Sequence, residues 1–368
     1  MIKIKSPVTW IGNKTSILHI LYALFPIGCD RYVEPFGGSG AVLLGKPVPD
    51  KFEVFNDYNH NLVNLFRCMR DRPMEFIREL GFLSLNSRDD FAVLKKFFEK
   101  EEFAEEYLKA QLDLTEIMLP EVTAKEVRTL YSAARNDHDL RRAAMFLKLI
   151  RYSYSSSCKS FACQPFSLRT LFALVQEFAK RCENVVIENQ DFETLIKHYD
   201  RPTTFPYCDP PYFDAESLYA VDFPKEKHEE LHHILSQCAG YIVVSYNDCP
   251  FIRSLYGDFF ILAFRRNNPL SQKAGATYGE LIITNYDPRP YIQPQFSMFP
   301  AEIENGDLVL VHEPACGSLR EIYLRRREHE TDKNDAPAGA GGEAGNGCEM
   351  SLGSNGPNDG DGDREAQY

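Results

Sequence analysis

The chain has 368 residues, 44% of them apolar and 26% charged, and a formal net charge of −12. That length allows one large domain with an insertion or two compact ones, and the composition excludes a fibrous or wholly disordered chain. No run of about 18 apolar residues exists, and the start MIKIKSPVTW lacks the apolar stretch of a secretory signal, so the expectation is a soluble, cytoplasmic protein without membrane contact.

The first predicted helix runs from Asn13 to Phe25, with Ile17, Ile20, Leu21 and Leu24 on one face and Pro26 ending it. The strand-like run RYVEPF enters a glycine-rich turn, and the run FEVFND ends on Asp57 before a predicted helix from His60 to Arg70. An acidic block over 99–126 holds nine acids against three lysines, whereas Arg128 to Arg181 carries a balance of +7. Within that basic block Leu140, Ala144, Leu147, Ile150 and Tyr154 recur at helical spacing. Asn136 or Asp137 is placed to cap this helix, and Arg141 and Lys148 fall together on another face. Such a face is commonly just solvated, so alone it is weak evidence for phosphate binding.

Five further strand-like runs follow: ENVVIEN, FPYCDPPY, GYIVVSYN, DFFILAF and GELIITNY, with a predicted helix from His228 to Cys238 among them. The alternation is that of an α/β sheet. The last two runs are joined through RRNNPLSQKAGATYG without a helix, which predicts a long hairpin at a sheet edge. Residues 288–330 include a short GDLVLV run and an RRR cluster to which no function attaches. From Thr331 onward the chain is glycine-rich with a net charge of −6, too poor in large apolar residues to offset its ordering entropy, and is expected to be disordered.

Ten cysteines without a CxxC pair read as reduced thiols, and no Cys/His spacing suggests a metal site. His228, His232 and His233 read as exposed helix residues, and Cys208 as a small buried strand residue. Two stretches carry chemistry. In VEPFGGSGAVLL, Gly37, Gly38 and Gly40 allow close backbone approach by a ligand at a helix N-terminus. Asp57, twenty residues after Gly37, stands where an acid commonly accepts from ribose hydroxyls; the plainer alternative is a tight loop with Asp57 as an N-cap. In YCDPPYF, Pro210 and Pro211 make a rigid loop, Asp209 adds a carboxylate acceptor and Tyr212 an aromatic face. Together they suit an exocyclic amino group on a planar ring, against the alternative of a proline turn with a capping Asp.

Over about residues 6 to 287 the chain resembles the D12 class of DNA adenine-N6 methyltransferases, the family that includes bacterial DNA adenine methylase and many phage enzymes. WIGNK (Trp10 to Lys14), EPFGGSG (Glu34 to Gly40), FNDYN (Phe55 to Asn59) and DPPY (Asp209 to Tyr212) occur in that family's order, followed by looser matches at NQDF (Asn189 to Phe192) and SYND (Ser245 to Asp248). The resemblance implies a Rossmann-like methyltransferase sheet from 1–70 and 182–287. It further implies an inserted, mainly helical target-recognition domain over 71–181, ahead of the 288–330 extension and the 331–368 tail. The implied cofactor is S-adenosyl-L-methionine, held by Trp10, Lys14, Glu34, Pro35, Phe36, Gly37, Gly38, Gly40, Asp57, Asp191, Phe192 and Asp209, with no metal. Asp209, Pro210, Pro211 and Tyr212 would act on N6 of an adenine flipped out of double-stranded DNA. The DNA would be gripped by Arg141, Lys148, Arg151, Tyr154 and Lys159 and by Arg265, Arg266 and Lys273 of the hairpin. A monomer is expected, and a cognate restriction endonuclease is a candidate partner. Asn13 departs from the family's glycine, and an Asn at left-handed φ would keep the turn. Transfer to cytosine N4 or RNA, and a noncatalytic DNA-binding protein with the cofactor fold, stay open as alternatives. An ATPase does not fit, because no GxxxxGK[ST] loop exists.

Overall fold

Seven expected strands and one unexpected strand build an eight-stranded sheet in the order β3-β2-β1-β4-β5-β7-β6-β8. The strands are β1 (Arg31–Glu34), β2 (Phe52–Asn56), β3 (Val185–Glu188), β4 (Thr204–Cys208), β5 (Val243–Asn247), β6 (Phe260–Asn267), β7 (Thr277–Thr284) and β8 (Val309–His312). The computed structural model describes residues 4–82, 87–99, 117–118, 120–126, 139–156, 158–162, 167–214, 223–267, 277–291 and 308–325. Most of the acidic block, the acidic tail and the expected caps Asn136 and Asp137 lie outside the described residues.

The first five strands pair in parallel, β3 with β2, β2 with β1, β1 with β4 and β4 with β5. The hairpin of β6 and β7 forms as expected, but not at the edge. β7 inserts antiparallel between β5 and β6, and β8, from the GDLVLV run, pairs with β6 on the outside. A four-residue strand with a half-exposed pattern offers little core to advertise itself; its value is to cover the free edge of β6. At the opposite edge Arg67 and Arg70 donate to the carbonyls of Ile187 and Val185, which blunts β3 in the same sense.

Alternate strand residues feed two cores, as the two-residue side-chain period of a strand requires. Tyr32, Phe55, Tyr207, Val243, Leu262 and Ile282 face one side, where α1 (Leu18–Leu24), α2 (Ala41–Gly45), α3 (His60–Asp71), α4 (Pro73–Phe82), α5 (Arg88–Glu99), α6 (Leu140–Arg151) and α7 (Leu168–Arg181) pack. Cys208, Val244, Ile261, Leu281 and Ile283 face the other, under α8 (Phe192–Tyr199), α9 (Lys225–Ser236) and α10 (Pro250–Leu255). The result is a three-layer α/β arrangement within the unit Met1–Arg327.

Helices α6 and α7 share the core of the sheet. Asn64 on α3 exchanges hydrogen bonds of 2.9 Å with both the N–H and the carbonyl of Asp139, and Asp139, in place of the expected Asn136 or Asp137, caps α6 by accepting from the Arg142 N–H. Arg181 on α7 forms a two-pronged ion pair with Glu53 on β2, at 2.6 and 2.9 Å, and both are buried.

Two smaller expectations need correction. His228 is fully buried, its Nδ1 2.8 Å from the Tyr246 hydroxyl, and His232 meets Asp258 at 2.8 Å; of the three histidines only His233 is exposed. α9 turns the His228 face towards β5, so the histidine serves as a core residue hydrogen-bonded to Tyr246. The left-handed position of the first turn is Gly12, at φ +79°, and not Asn13. Asn13 instead accepts from the Thr15 N–H at 2.7 Å and donates to Ser39 at 3.1 Å, tying its turn to the glycine loop.

Candidate active site

Strand order reverses between β1 and β4, and at such a switch point the loops leaving the carboxyl ends of neighbouring strands separate and open a crevice. A cavity of about 290 Å³ lies there, lined by residues that follow β1 (Pro35 to Ser39), β2 (Asp57 to Asn59), β3 (Gln190 to Phe192) and β4 (Asp209, Pro211), and closed by the turn Trp10 to Lys14. Phe223 and Lys227 complete it from the start of α9. Of the residues expected to hold a cofactor, all but Gly40 line this cavity. Gly40, at φ +65°, shapes the turn into α2 from behind.

Asn56 binds the loops together. Its amide donates to the Pro35 carbonyl at 2.8 Å and the Gln190 carbonyl at 3.0 Å, accepts from the Gln190 N–H at 2.8 Å, and its own carbonyl accepts from the Gly37 N–H at 2.7 Å. Asn189 adds a bond to the Asp57 carbonyl at 2.8 Å. One buried amide thus sets the spacing of three strand ends.

The glycine turn is tight where it matters. A Cβ on Gly37 would stand 2.2 Å from the Phe55 ring, which stacks on Phe66 at 4.2 Å and has nowhere to go. Gly37→Ala is therefore expected to destabilise the fold by about 1–3 kcal/mol, the usual cost of overpacking a close-packed core. Equilibrium urea denaturation measures this, and an unchanged midpoint would show that the ring yields.

Charge in the cavity is unbalanced towards the negative. Asp57 accepts from the Gly38 N–H at 2.9 Å and the Asn59 N–H at 2.8 Å, yet burial outweighs these bonds and pushes its carboxyl up to about 6. Its role in the turn is wider than a cap, since the side chain that caps α3 is Asn59. Glu34, held by the Tyr32 hydroxyl and the Leu43 N–H, is pushed up to about 8 by burial and keeps its proton at neutral pH. Asp191 caps α8 by accepting from the Glu193 N–H at 3.0 Å. Phe36, Phe192 and Phe223 cluster with ring centroids 5.5–5.9 Å apart, which offers a planar apolar group a slot beside these carboxylates.

Asp209 follows β4 directly and lines the cavity. Lys14 Nζ lies 2.7 Å from its Oδ1, but off the direction of a well-formed hydrogen bond, so that this buried oxygen keeps acceptor capacity. Burial raises the Asp209 carboxyl to about 6, with the Lys14 ammonium opposing the rise. Pro211 faces the cavity. Pro210 is buried, and neither it nor Tyr212 lines the cavity; Tyr212 stands beside it, its hydroxyl donating to Glu280 at 2.7 Å and Lys14 Nζ 4.9 Å from its ring centre. Glu280, Asn56, Phe223 and Lys227 were not singled out in the sequence. FNDYN contained Asn56, but nothing marked it apart from its neighbours.

The residues expected to grip DNA divide. Arg141, Tyr154, Lys159 and Arg265 are exposed, and Lys273 lies outside the described residues. Lys148 is 4% exposed, because the last turns of α6 are enclosed on every side, and burial lowers its ammonium to about 8; a phosphate contact from this position does not fit. Arg151 is committed to the Pro7 carbonyl at 2.6 Å, and Arg266 to the Asn13 carbonyl at 2.9 Å and to Glu280 at 3.3 Å. Arg266 thereby braces the turn that closes the site. Among the described residues no His, Cys, Asp and Glu group could hold a metal ion, the eight cysteines present are free, and no helix is long and apolar enough to cross a membrane.

Comparison with known proteins finds relatives over most of this chain. The family profile described as D12 class N6 adenine-specific DNA methyltransferase matches residues 10–267. A type II methyltransferase of Lactococcus lactis subsp. cremoris, M1.LlaDCHI, is 23% identical over 302 residues, 75% of this chain and 94% of the relative. The retron Ec67 DNA adenine methylase of Escherichia coli is 26% identical over 262 residues, 68% of this chain and 80% of the relative. The DNA adenine methylase of Escherichia coli strain K12 is 24% identical over 229 residues, 58% of this chain and 66% of the relative.

Proposed function

The chain belongs to the family of D12 class N6 adenine-specific DNA methyltransferases, and on that premise we propose that its cavity binds S-adenosyl-L-methionine and that Asp209 receives N6 of an adenine flipped out of double-stranded DNA. The observation that carries this reading is the buried Asp209 Oδ1, lacking an aligned hydrogen bond in a cavity rich in carboxylates. That oxygen is ion-paired with Lys14 at 2.7 Å and keeps lone-pair capacity for a second donor, which an incoming amino group supplies. The residues also fit the cofactor: Asp57 for ribose hydroxyls, the three phenylalanine rings for adenine, and a negative cavity for a cation. When bound, this donor supplies a methyl group on a positively charged sulfur, open to in-line displacement.

The chain's own work is to position and to stabilise charge. Adenine N6 is a poor nucleophile because its lone pair is delocalised into the ring. Hydrogen bonds from N6 to the Asp209 carboxylate and the Pro210 carbonyl favour a localised lone pair and stabilise the positive charge that develops on the nitrogen. Lys14 keeps Asp209 ionised against the pull of burial. Tyr212 offers its ring to the extruded base, which repays part of the few kcal/mol that flipping costs. The DNA contacts fall to Arg141, Tyr154, Lys159 and Arg265, and target recognition to the stretch 71–181. By likeness to the type II methyltransferase, a cognate restriction endonuclease is the companion this reading expects.

Acid should switch the reaction off. A carboxyl raised to about 6 is ionised at pH 7 and loses its charge as the pH falls through 6. The transfer rate at saturating donor is expected to fall roughly tenfold between pH 7 and pH 5, following the ionised fraction of Asp209. Because Asp57 titrates in the same range, donor affinity should weaken over the same interval, and rate must be measured with the donor held saturating. A rate independent of pH down to 5 would remove Asp209 from the reacting centre.

The reading as a whole is tested by incubating the protein with S-adenosyl-L-methionine and unmethylated duplex DNA, then identifying modified nucleosides by mass spectrometry. N6-methyladenine is the expected product. N4-methylcytosine would overturn the base assignment, and no product on DNA despite donor binding, with a parallel RNA sample likewise unmodified, would favour a noncatalytic protein.

A further inference from the structure

Glu280 stands near the middle of β7, paired in register with Asn247 on β5 and Phe264 on β6, and is fully buried. A carboxylate at the centre of a sheet is costly unless it is paired and hydrogen-bonded on its remaining lone pairs. Here the pairing comes from three separate parts of the chain. The Tyr212 hydroxyl, from the loop after β4, donates to Oε1 at 2.7 Å; Arg266, from β6, reaches Oε2 at 3.3 Å; and Lys14, from the turn before α1, lies 3.8 Å from Oε1. Arg266 also donates to the Asn13 carbonyl, so the same carboxylate is linked to the turn that presents Lys14.

We propose that Glu280 is a positioning residue for methyl transfer, fixing the Tyr212 ring through its hydroxyl and supplying the second negative charge that lets Lys14 and Arg266 share the site with Asp209. This inference rests on the reading of the cavity given above. Lys14, Arg266, Asp209 and Glu280 form a balanced set of two cations and two anions. Removing Glu280 leaves two cations against one carboxylate, which draws Lys14 more tightly onto Asp209 and so competes with an incoming amino group for the same oxygens. It also frees the Tyr212 ring to swing about its Cα–Cβ bond. Among the described residues Glu280 has no hydrogen bond or ion pair to the glycine turn or to Asp57 and meets the donor cavity through Lys14, so the transfer rate should suffer more than donor affinity.

The test uses the full chain, two single variants and their combination. Tyr212→Phe deletes only the hydroxyl link and keeps the ring; Glu280→Gln keeps the shape and an acceptor oxygen but removes the charge. Single-turnover transfer to duplex DNA, calorimetric donor affinity and melting temperature are measured for each. Both variants are expected to lose about 10- to 100-fold in rate, with a clearly smaller loss of donor affinity. The double variant should be less impaired than the product of the two single losses, because the two residues act as one unit. Wild-type rates in both single variants would overturn the proposal, as would a rate loss matched by an equal loss of donor affinity or of folded protein. Fully multiplicative losses in the double variant would overturn the link between the two residues. A wild-type protein that transfers no methyl group to adenine would fail the reading of the cavity and the inference with it, an outcome separate from active wild type with unaffected variants.

Discussion

Asp209→Ala is expected to lower the transfer rate by about 10³-fold or more while leaving a folded protein. Removal of a single preorganised hydrogen-bonding group from a site of developing charge commonly costs 10²- to 10³-fold, and Asp209 does more than one such group. It accepts from N6, and it neutralises Lys14 at 2.7 Å in a place where the next carboxylate, Glu280, is 3.8 Å away. With alanine at 209 the buried ammonium is left short of a counter-ion, and a few kcal/mol of stability are lost with it. Asp209→Asn separates the two effects. The amide keeps the volume and one acceptor oxygen but carries no charge, so its rate should fall by about 10²-fold, between alanine and wild type. Single-turnover transfer to duplex DNA, with circular dichroism to confirm folding, decides the matter. Wild-type turnover by a folded Asp209→Ala protein would place the chemistry elsewhere in the cavity.

Most of this site is legible in the sequence because its parts are local. A glycine turn after a strand, an acid at the end of the next strand and a DPPY loop each announce themselves within a few residues, and the resemblance joined them in order. What stayed hidden is non-local. Glu280 sits in GELIITNY, which reads as a plain core strand; its meaning comes from Tyr212, Arg266 and Lys14, the nearest of which is fourteen residues away. Lys148 illustrates the opposite error. Helical periodicity correctly put Arg141 and Lys148 on one face, but a period cannot say how far along a helix the neighbours extend, and the packing of α6 covers the second residue and not the first. The edge position of the hairpin failed for a similar reason. A hairpin has two possible orders in a sheet, and only the pairing of β7 with β5, together with β8 on β6, selects between them.

Asp57 is expected to divide donor binding from DNA binding. Calorimetry on Asp57→Ala should show donor affinity weakened by about 10- to 100-fold, the range of one hydrogen bond to a charged group, with duplex affinity within about twofold of wild type. Two losses add in the alanine protein. The ribose acceptor is gone, and the N–H groups of Gly38 and Asn59, which the carboxylate now satisfies at 2.9 and 2.8 Å, are released beside the cavity. Asp57→Asn keeps one side-chain oxygen for one of these N–H groups and should fall between the two. The ranking matters more than the size, because both binding partners meet the same rim. If DNA affinity suffered more than donor affinity, Asp57 would belong to the wall that meets the nucleic acid. The donor would then lie elsewhere in the cavity, and Asp57 would be left to its part in the glycine turn. The expected ranking instead ties the acid after β2 to the donor and the acid after β4 to the base. It would show that the ends of β2 and β4, on either side of the switch point and separated by β1, divide the two substrates between them.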